Sequence, residues 1–233
     1  MKIKIHLSVS YLLLCAALCA PTLVRADAPS AVSADDALKT LMAGNQRFVS
    51  GQLTSLTPKE VEQRRADLVM GQKPFAIVVC CSDSRVGPET VFDQELGNIF
   101  VIRTAGEVLD DAGIGSIEYA VAHLGSPLLL VLGHEKCGAV AAAVADAKEP
   151  GHIASIIKAI RPAVKQTKDQ PGDPVENAVR ANALDIAAHL RSTNPVISKK
   201  VKAGQLTVMA ATLSLKTGQV ELLNTESAGA PAN

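Results

Sequence analysis

Two runs of apolar residues in this chain each stop abruptly at side chains able to bind a soft metal. Residues 74–80 run into Cys81-Ser82-Asp83-Ser84-Arg85, and residues 128–133 run into His134-Glu135-Lys136-Cys137. An apolar, partly β-branched run of this length, ended by polar or glycine-containing sequence, reads as a parallel strand buried on both faces that ends at a loop. In open α/β sheets, sites form outside the carboxyl ends of such strands. Two of these ends lying side by side would bring Cys81, His134 and Cys137 to one point. Two sulfurs and an imidazole suit zinc, and three protein ligands leave a fourth position open.

The first 26 residues read as a secretory signal peptide. Lys2 and Lys4 precede an almost wholly apolar stretch over residues 7–20, and Val24 and Ala26 stand where a signal peptidase reads small side chains, giving a cut after Ala26. The apolar stretch falls short of the roughly eighteen residues of a membrane span, which argues against a retained anchor. Cys15 and Cys19 each follow Leu, where a lipoprotein signal needs a small residue. The expected product is a single domain over residues 27–233, periplasmic or secreted, with no stable membrane anchor. Removing Lys2, Lys4 and Arg25 leaves 20 basic against 23 acidic residues, which gives no attraction for nucleic acid or anionic lipid. The remaining cysteines are Cys80, Cys81 and Cys137. An odd number in an exported protein argues for metal ligands or a thiol over a disulfide framework.

Residues 33–50 carry Leu38, Leu41, Met42, Asn45 and Phe48 at helical spacing, with Ser33 and Asp36 as a candidate capping box. The apolar side of this helix is expected to bury against a second copy of the chain. Pro58 marks a further helix start. A third strand is predicted over residues 99–102, ending at Arg103, and a helix over residues 114–124 precedes the strand that leads to His134. This repeated strand and helix order continues with an alanine-rich helix to about Lys148, then helices over residues 153–164 and 175–191. Residues 205–211 and 219–223 read as a closing strand pair, and residues 227–233 as a frayed tail.

Each candidate residue has a chemical reason and a blander alternative. His134 and Cys137 are three apart, so a tight strand-to-helix turn can bring both to one side. A helix starting near Gly138 would turn its positive end on Cys137 and lower its thiol pKa. Asp83 and Arg85 follow Cys81 at alternate positions, so extended backbone would project all three to one side. A carboxylate gripped by a guanidinium stays ionised and fixed, which makes Asp83 a candidate acceptor for a proton of zinc-bound hydroxide. Cys80 reads as a buried small hydrophobe. His123, His152 and His189 read as surface or structural histidines, Glu135 as a solvated loop carboxylate, and Asp110-Asp111 as a helix cap.

The motifs Cys81-Ser82-Asp83-Ser84-Arg85-Val86, Phe100-Val101-Ile102-Arg103-Thr104-Ala105-Gly106, Gly115-Ser116-Ile117-Glu118-Tyr119 and Gly133-His134-Glu135-Lys136-Cys137-Gly138 resemble those of a β-class carbonic anhydrase of the exported bacterial kind. The resemblance spans nearly all of residues 27–233. It implies an α/β fold with a central, mainly parallel β-sheet flanked by helices, to which the closing strand pair adds an antiparallel edge and the first helix an N-terminal arm. It further implies one Zn2+ per chain held by Cys81, His134 and Cys137, with Asp83 and Arg85 as the dyad beside it, and assembly as a homodimer or a dimer-based higher oligomer. The implied reaction is reversible hydration of carbon dioxide to bicarbonate by zinc-bound hydroxide, with the backbone N–H near Gly138 binding a substrate oxygen. Asn98, Thr104, Gly87 and Glu107 depart from residues common in that family, and none of these departures removes a ligand. Val86, Arg103 and Gly138 match a bicarbonate-binding pocket of some members, but its aromatic partners are absent. Two alternatives share the scaffold: hydrolysis of carbon disulfide or carbonyl sulfide, and a non-catalytic zinc- or bicarbonate-binding protein.

Overall fold

The computed structural model describes residues 32–192 and 195–224; the expected signal segment and the tail at 227–233 lie outside them. Among the described residues, strands β1 (Ala76–Cys80), β2 (Ile99–Arg103), β3 (Leu128–His134), β4 (Thr207–Leu213) and β5 (Val220–Leu223) form one sheet in the order β2-β1-β3-β4-β5. The first four are mutually parallel and β5 runs antiparallel to β4. The central strands explain their own composition. Every residue of β1 and β3 is buried, and side chains alternate between two cores. Val78, Cys80, Leu130 and Leu132 face one core, while Ile77, Val79, Leu129 and Val131 face the other.

Helices cover both faces. α1 (Ala34–Val49), α2 (Pro58–Asp67) and the short α3 (Pro88–Val91) come first. They are followed by α4 (Asp111–Tyr119), which runs on into a wider turn over Ala120–Leu124. α5 (Gly138–Val144), α6 (Ile153–Gln166), α7 (Pro174–Ser192) and α8 (Pro195–Lys202) complete the set. Leu41 of α1, Val140 of α5 and Ile160 of α6 close the first core; Ile117 of α4, Leu190 of α7 and Ile197 of α8 close the second. From β1 the chain steps outward to β2, then crosses to β3 on the other side of β1. The order therefore reverses between β1 and β3, and a crevice opens at their carboxyl ends. No helix among the described residues is long and apolar enough to cross a membrane.

Three local features differ from the sequence expectation. The alanine-rich helix α5 stops at Val144, because Asp146 takes a left-handed conformation with φ 47° and the Ala147 N–H closes back on the Ala142 carbonyl. Helix α8 fills a stretch that carried no prediction. The third concerns α1, whose apolar side is partly covered within the chain. Ala37 and Leu41 are fully buried, and Leu38, Met42 and Phe48 pack half-buried against the same core. Gly44 permits this approach, since a Cβ there would lie 1.7 Å from the Phe92 carbonyl oxygen. Asn45 then locks it. Its Nδ2 donates to the Val91 carbonyl at 3.1 Å and the Gly218 carbonyl at 2.8 Å, and its Oδ1 accepts from the Val220 N–H at 2.9 Å. Arg47 Nε and the Thr54 hydroxyl both donate to Asp93 Oδ2, fastening the end of the helix.

Replacing Asn45 with Ala strands two carbonyls and an N–H in a buried place. We expect Asn45→Ala to lower stability by about 3 kcal/mol in denaturant unfolding, because each buried unpaired group costs roughly 1–3 kcal/mol. A change below about 0.5 kcal/mol, the range of a neutral surface substitution, would show that Asn45 does not lock α1.

Candidate metal centre

The β1/β3 crevice holds the three expected ligands. Cys81 follows directly on β1, His134 ends β3, and Cys137 caps α5 three residues later. Their donor atoms all lie within 4.8 Å of one another, and the two sulfurs are 4.0 Å apart. All three side chains are buried, and both cysteines are free thiols. Lys136 adopts φ 51°, a left-handed turn between the last two ligands. Its N–H is held by Glu176 of α7 at 2.9 Å, and the Glu135 N–H donates to the Leu213 carbonyl. A non-glycine residue in that conformation costs about 1–3 kcal/mol, so the surrounding bonds impose the turn.

The donor set fits one zinc ion. His134 Nδ1 lies 2.9 Å from the Glu135 carbonyl oxygen, and because a carbonyl can only accept, Nδ1 carries the hydrogen. The lone pair is thereby left on Nε2, a buried atom with no hydrogen-bond partner, facing the two sulfurs. Without metal the three groups share charge among themselves. The hydrogen bond from Cys137 lowers the Cys81 thiol pKa and raises that of Cys137, so one proton sits between the sulfurs on the Cys137 side. This reverses the expectation for Cys137: the Val140 N–H at the start of α5 does pull its pKa down, but Cys81 acts more strongly. Burial pushes the His134 imidazole down, and the Cys81 thiolate more than offsets it.

Asp83 and Arg85 stand at the mouth. Arg85 Nε and Nη2 donate to the two carboxylate oxygens at 2.9 and 2.6 Å, and the Arg85 N–H donates to Asp83 Oδ1 at 2.9 Å. The pair is joined by a tight turn that folds the carboxylate back on the backbone two residues on, where extended alternation had been expected. Asp83 Oδ2 lies 4.0 Å from His134 Nε2. The Arg85 hydrogen bonds hold the Asp83 carboxyl well below the usual carboxylate range. Arg103 donates to the Cys81 and Asp83 carbonyls at 2.9 and 2.6 Å, tying β2 to the ligand loop. Gly138 opens α5, where first-turn N–H groups lack helical partners, and the space beside its Cα is empty to 4 Å.

Two residues beside the ligands escaped the sequence reading. Glu107 is 1% exposed, has φ 55°, and leaves Oε1 without a partner. Burial pushes its carboxyl up to about 8, and the Cys81 charge adds to this. Asn182 of α7 donates to the Gly106 carbonyl at 2.9 Å and to Glu107 Oε2 at 3.3 Å. The one available signal was Glu107 itself, a departure from the resembling family. Glu135 also differs from expectation. Its Oε2 accepts from the Ser214 hydroxyl at 3.0 Å and the Leu215 N–H at 2.8 Å, so it clamps the β4–β5 turn and is not a solvated loop carboxylate. Cys80 is fully buried, with burial raising its thiol pKa to about 12, and Asp110 caps α4 through the Gly113 N–H. His123 lies against the Tyr119 ring at 5.2 Å, and His152 precedes α6.

The profile of the family described as carbonic anhydrase matches residues 76–220. Carbonic anhydrase 2 of Mycobacterium tuberculosis is 40% identical over 190 residues, which cover 80% of this chain and 91% of that protein. The β-carbonic anhydrase CafA of Aspergillus fumigatus superposes with a TM-score of 0.65 at 25% identity, over 82% of this chain and 92% of the other. A structure from the work on two tetrameric β-carbonic anhydrases of Sordaria macrospora shares the fold, with a TM-score of 0.63 at 23% identity over 80% and 96% of the two chains.

The raised carboxyl of Glu107 sets a sign for stability. Unfolded, it ionises near 4.5; folded, at about 8. Between those values the unfolded chain binds fewer protons than the native one, so this residue costs the metal-free protein more stability as pH rises. Glu107→Gln cannot titrate. Its stability relative to the native sequence, measured by urea unfolding without metal, should climb from about pH 5 to about pH 8. A difference that stays flat, or shrinks with rising pH, would contradict the burial of a neutral carboxyl.

Proposed function

The chain belongs to the carbonic anhydrase family, in its β class, and from that membership we propose how its residues divide the hydration of carbon dioxide. The reaction is reversible, turning carbon dioxide and water into bicarbonate and a proton, and it uses one zinc per chain. Cys81, His134 and Cys137 hold the metal. Bound there, zinc supplies a Lewis acid that lowers the pKa of a bound water toward about 7, so that a nucleophile exists near neutral pH.

The rest falls to the protein. Asp83 is an ionised, acceptor-only group, and its Oδ2 lies 4.0 Å from His134 Nε2, beside the three residues that would hold the metal. It takes a hydrogen bond from the attacking water oxygen and turns that oxygen's lone pair toward the carbon of the substrate. Arg85 supplies a bidentate cation that satisfies both Asp83 oxygens, so the carboxylate need not become a fourth ligand. The Gly138 N–H, on the first turn of α5 with open space beside it, holds a substrate oxygen as negative charge develops there. The observation that carries this reading is the ligand cluster within 4.8 Å with the Asp83–Arg85 pair beside it.

We also propose that residues 1–26 direct export and are removed after Ala26, leaving one domain over residues 27–233 in the periplasm or medium. The support is the charge and apolar pattern of that segment. Assembly of two or more copies is likewise a proposal. Its support comes from the edge strand β2, where Phe100 is half-buried beside a Tyr119 that is 50% exposed, and from Leu38, Met42 and Phe48 of α1, which the chain itself buries only in part.

Cys81→Ser, His134→Ala and Cys137→Ser should each lower zinc from about one per chain to near zero and abolish hydration, since three ligands leave no spare. Arg85→Ala should keep its zinc and lose hydration by about 100-fold or more, the scale of a lost orienting group. Metal analysis beside stopped-flow hydration reads both, with carbonyl sulfide and carbon disulfide as comparison substrates. Full hydration in any ligand variant, or in Arg85→Ala, would contradict these roles.

A further inference from the structure

The backbone turn at residues 104–107 touches the metal centre directly. The Gly106 N–H donates to Cys81 Sγ at 3.4 Å, the one backbone hydrogen bond that this sulfur takes from outside the ligand loops among the described residues. Two successive residues of the turn are left-handed, Gly106 with φ 65° and Glu107 with φ 55°. Glycine is required at the first. A Cβ on Gly106 would come within 2.6 Å of Ile160 Cδ1 and 3.1 Å of Ala139 Cβ, so α5 and α6 press on the turn from one side. On the other side stands Asn182, 4% exposed on α7, whose Nδ2 bonds the carbonyl of Gly106 and the carboxyl of Glu107. A strained conformation at Glu107 persists only where its surroundings impose it. The same residue, Gly106, is thus held by Asn182 through its carbonyl and holds Cys81 through its N–H.

We propose that Asn182 is a positioning residue for the metal centre: by fixing the 104–107 turn it keeps the Gly106 N–H on Cys81 Sγ and thereby sets that sulfur's strength as a ligand. The proposal rests on Cys81 being a zinc ligand. A hydrogen bond to a thiolate draws charge from the sulfur and fixes the direction of its lone pairs before metal arrives. Outer groups of this kind orient a ligand and tune the metal it binds, and removing one typically weakens metal binding about 10- to 100-fold. Glu107 assists as the second acceptor of Asn182, which keeps the amide aimed at the turn.

Asn182→Leu preserves bulk and removes the donor. It should bind zinc about 10-fold or more weakly than the native protein, measured by competition with a chromophoric chelator at neutral pH. With cobalt in place of zinc, its sulfur-to-metal charge-transfer band should move to longer wavelength, because a sulfur without its N–H partner has higher-lying lone pairs. Asn182→Ser, too short to reach the Gly106 carbonyl, should shift both readouts the same way and serves if the leucine variant does not fold. Glu107→Gln keeps an acceptor for Asn182 and should retain near-native zinc affinity. Asn45→Ala, which weakens the fold without removing a bond to a ligand or to the 104–107 turn, should leave the cobalt band unmoved and so separates positioning from general destabilisation. Native zinc affinity and an unmoved band in a folded Asn182 variant would overturn the proposal alone. Failure of the native protein to bind zinc would overturn the ligand assignment beneath it.

Discussion

The parallel register between β1 and β3 is the constraint on which the rest of the structure depends. Cys80 lies opposite Leu132, so the residue after β1 falls beside Gly133 and next to His134. Gly133 lets α7 close over this end of β3, since a Cβ there would lie 3.1 Å from Val179 Cγ1 and 3.5 Å from Ala183 Cβ. Side chains on a strand alternate between faces, so a slip of one residue would turn His134 away from Cys81 and expose the alternating core faces to the wrong partners. The buried leucines and valines that hold this register therefore also hold the metal geometry. Stability and chemistry share one interaction.

Charge is distributed around the crevice so that each carboxylate has a defined condition. Asp83 stays ionised because Arg85 grips both of its oxygens, while Glu107, a short way deeper, is pushed toward its neutral form by burial. Two acidic side chains beside the same ligands thus differ by environment. The partly exposed one keeps its charge at the mouth, where a reacting water needs an acceptor. The buried one avoids adding a full negative charge to a pair of sulfurs that already carry it.

Much of this was legible in the sequence because it is local. Two apolar runs ending at Cys81 and His134 announced buried parallel strands, and the three-residue step to Cys137 announced the turn. What stayed hidden depends on distance along the chain or on exact backbone shape. Asn182 meets Gly106 across 76 residues and Asn45 meets Gly218 across 173, and neither side chain differs by type from an ordinary polar residue on a helix. The apolar stripe of α1 was visible for the same local reason, but only the fit of Gly44 under Phe92 decides that the chain itself buries Ala37 and Leu41. Asp83 and Arg85 do bond to each other, though through a tight turn where extended alternation was expected, since both bring a residue and its second neighbour together. Glu135, between two ligands, looked solvated because its partners on the β4–β5 turn are 79 and 80 residues away.

The most direct test is a crystal structure of the zinc-loaded protein at mildly alkaline pH, read for the coordination of the metal. The account predicts zinc bound by Cys81 Sγ, His134 Nε2 and Cys137 Sγ, with sulfur distances of about 2.3 Å and a nitrogen distance of about 2.0–2.1 Å. Both oxygens of Asp83 should remain on Arg85. A direct bond from Asp83 to zinc in that active form, or a metal held away from the β1/β3 crevice, would contradict it.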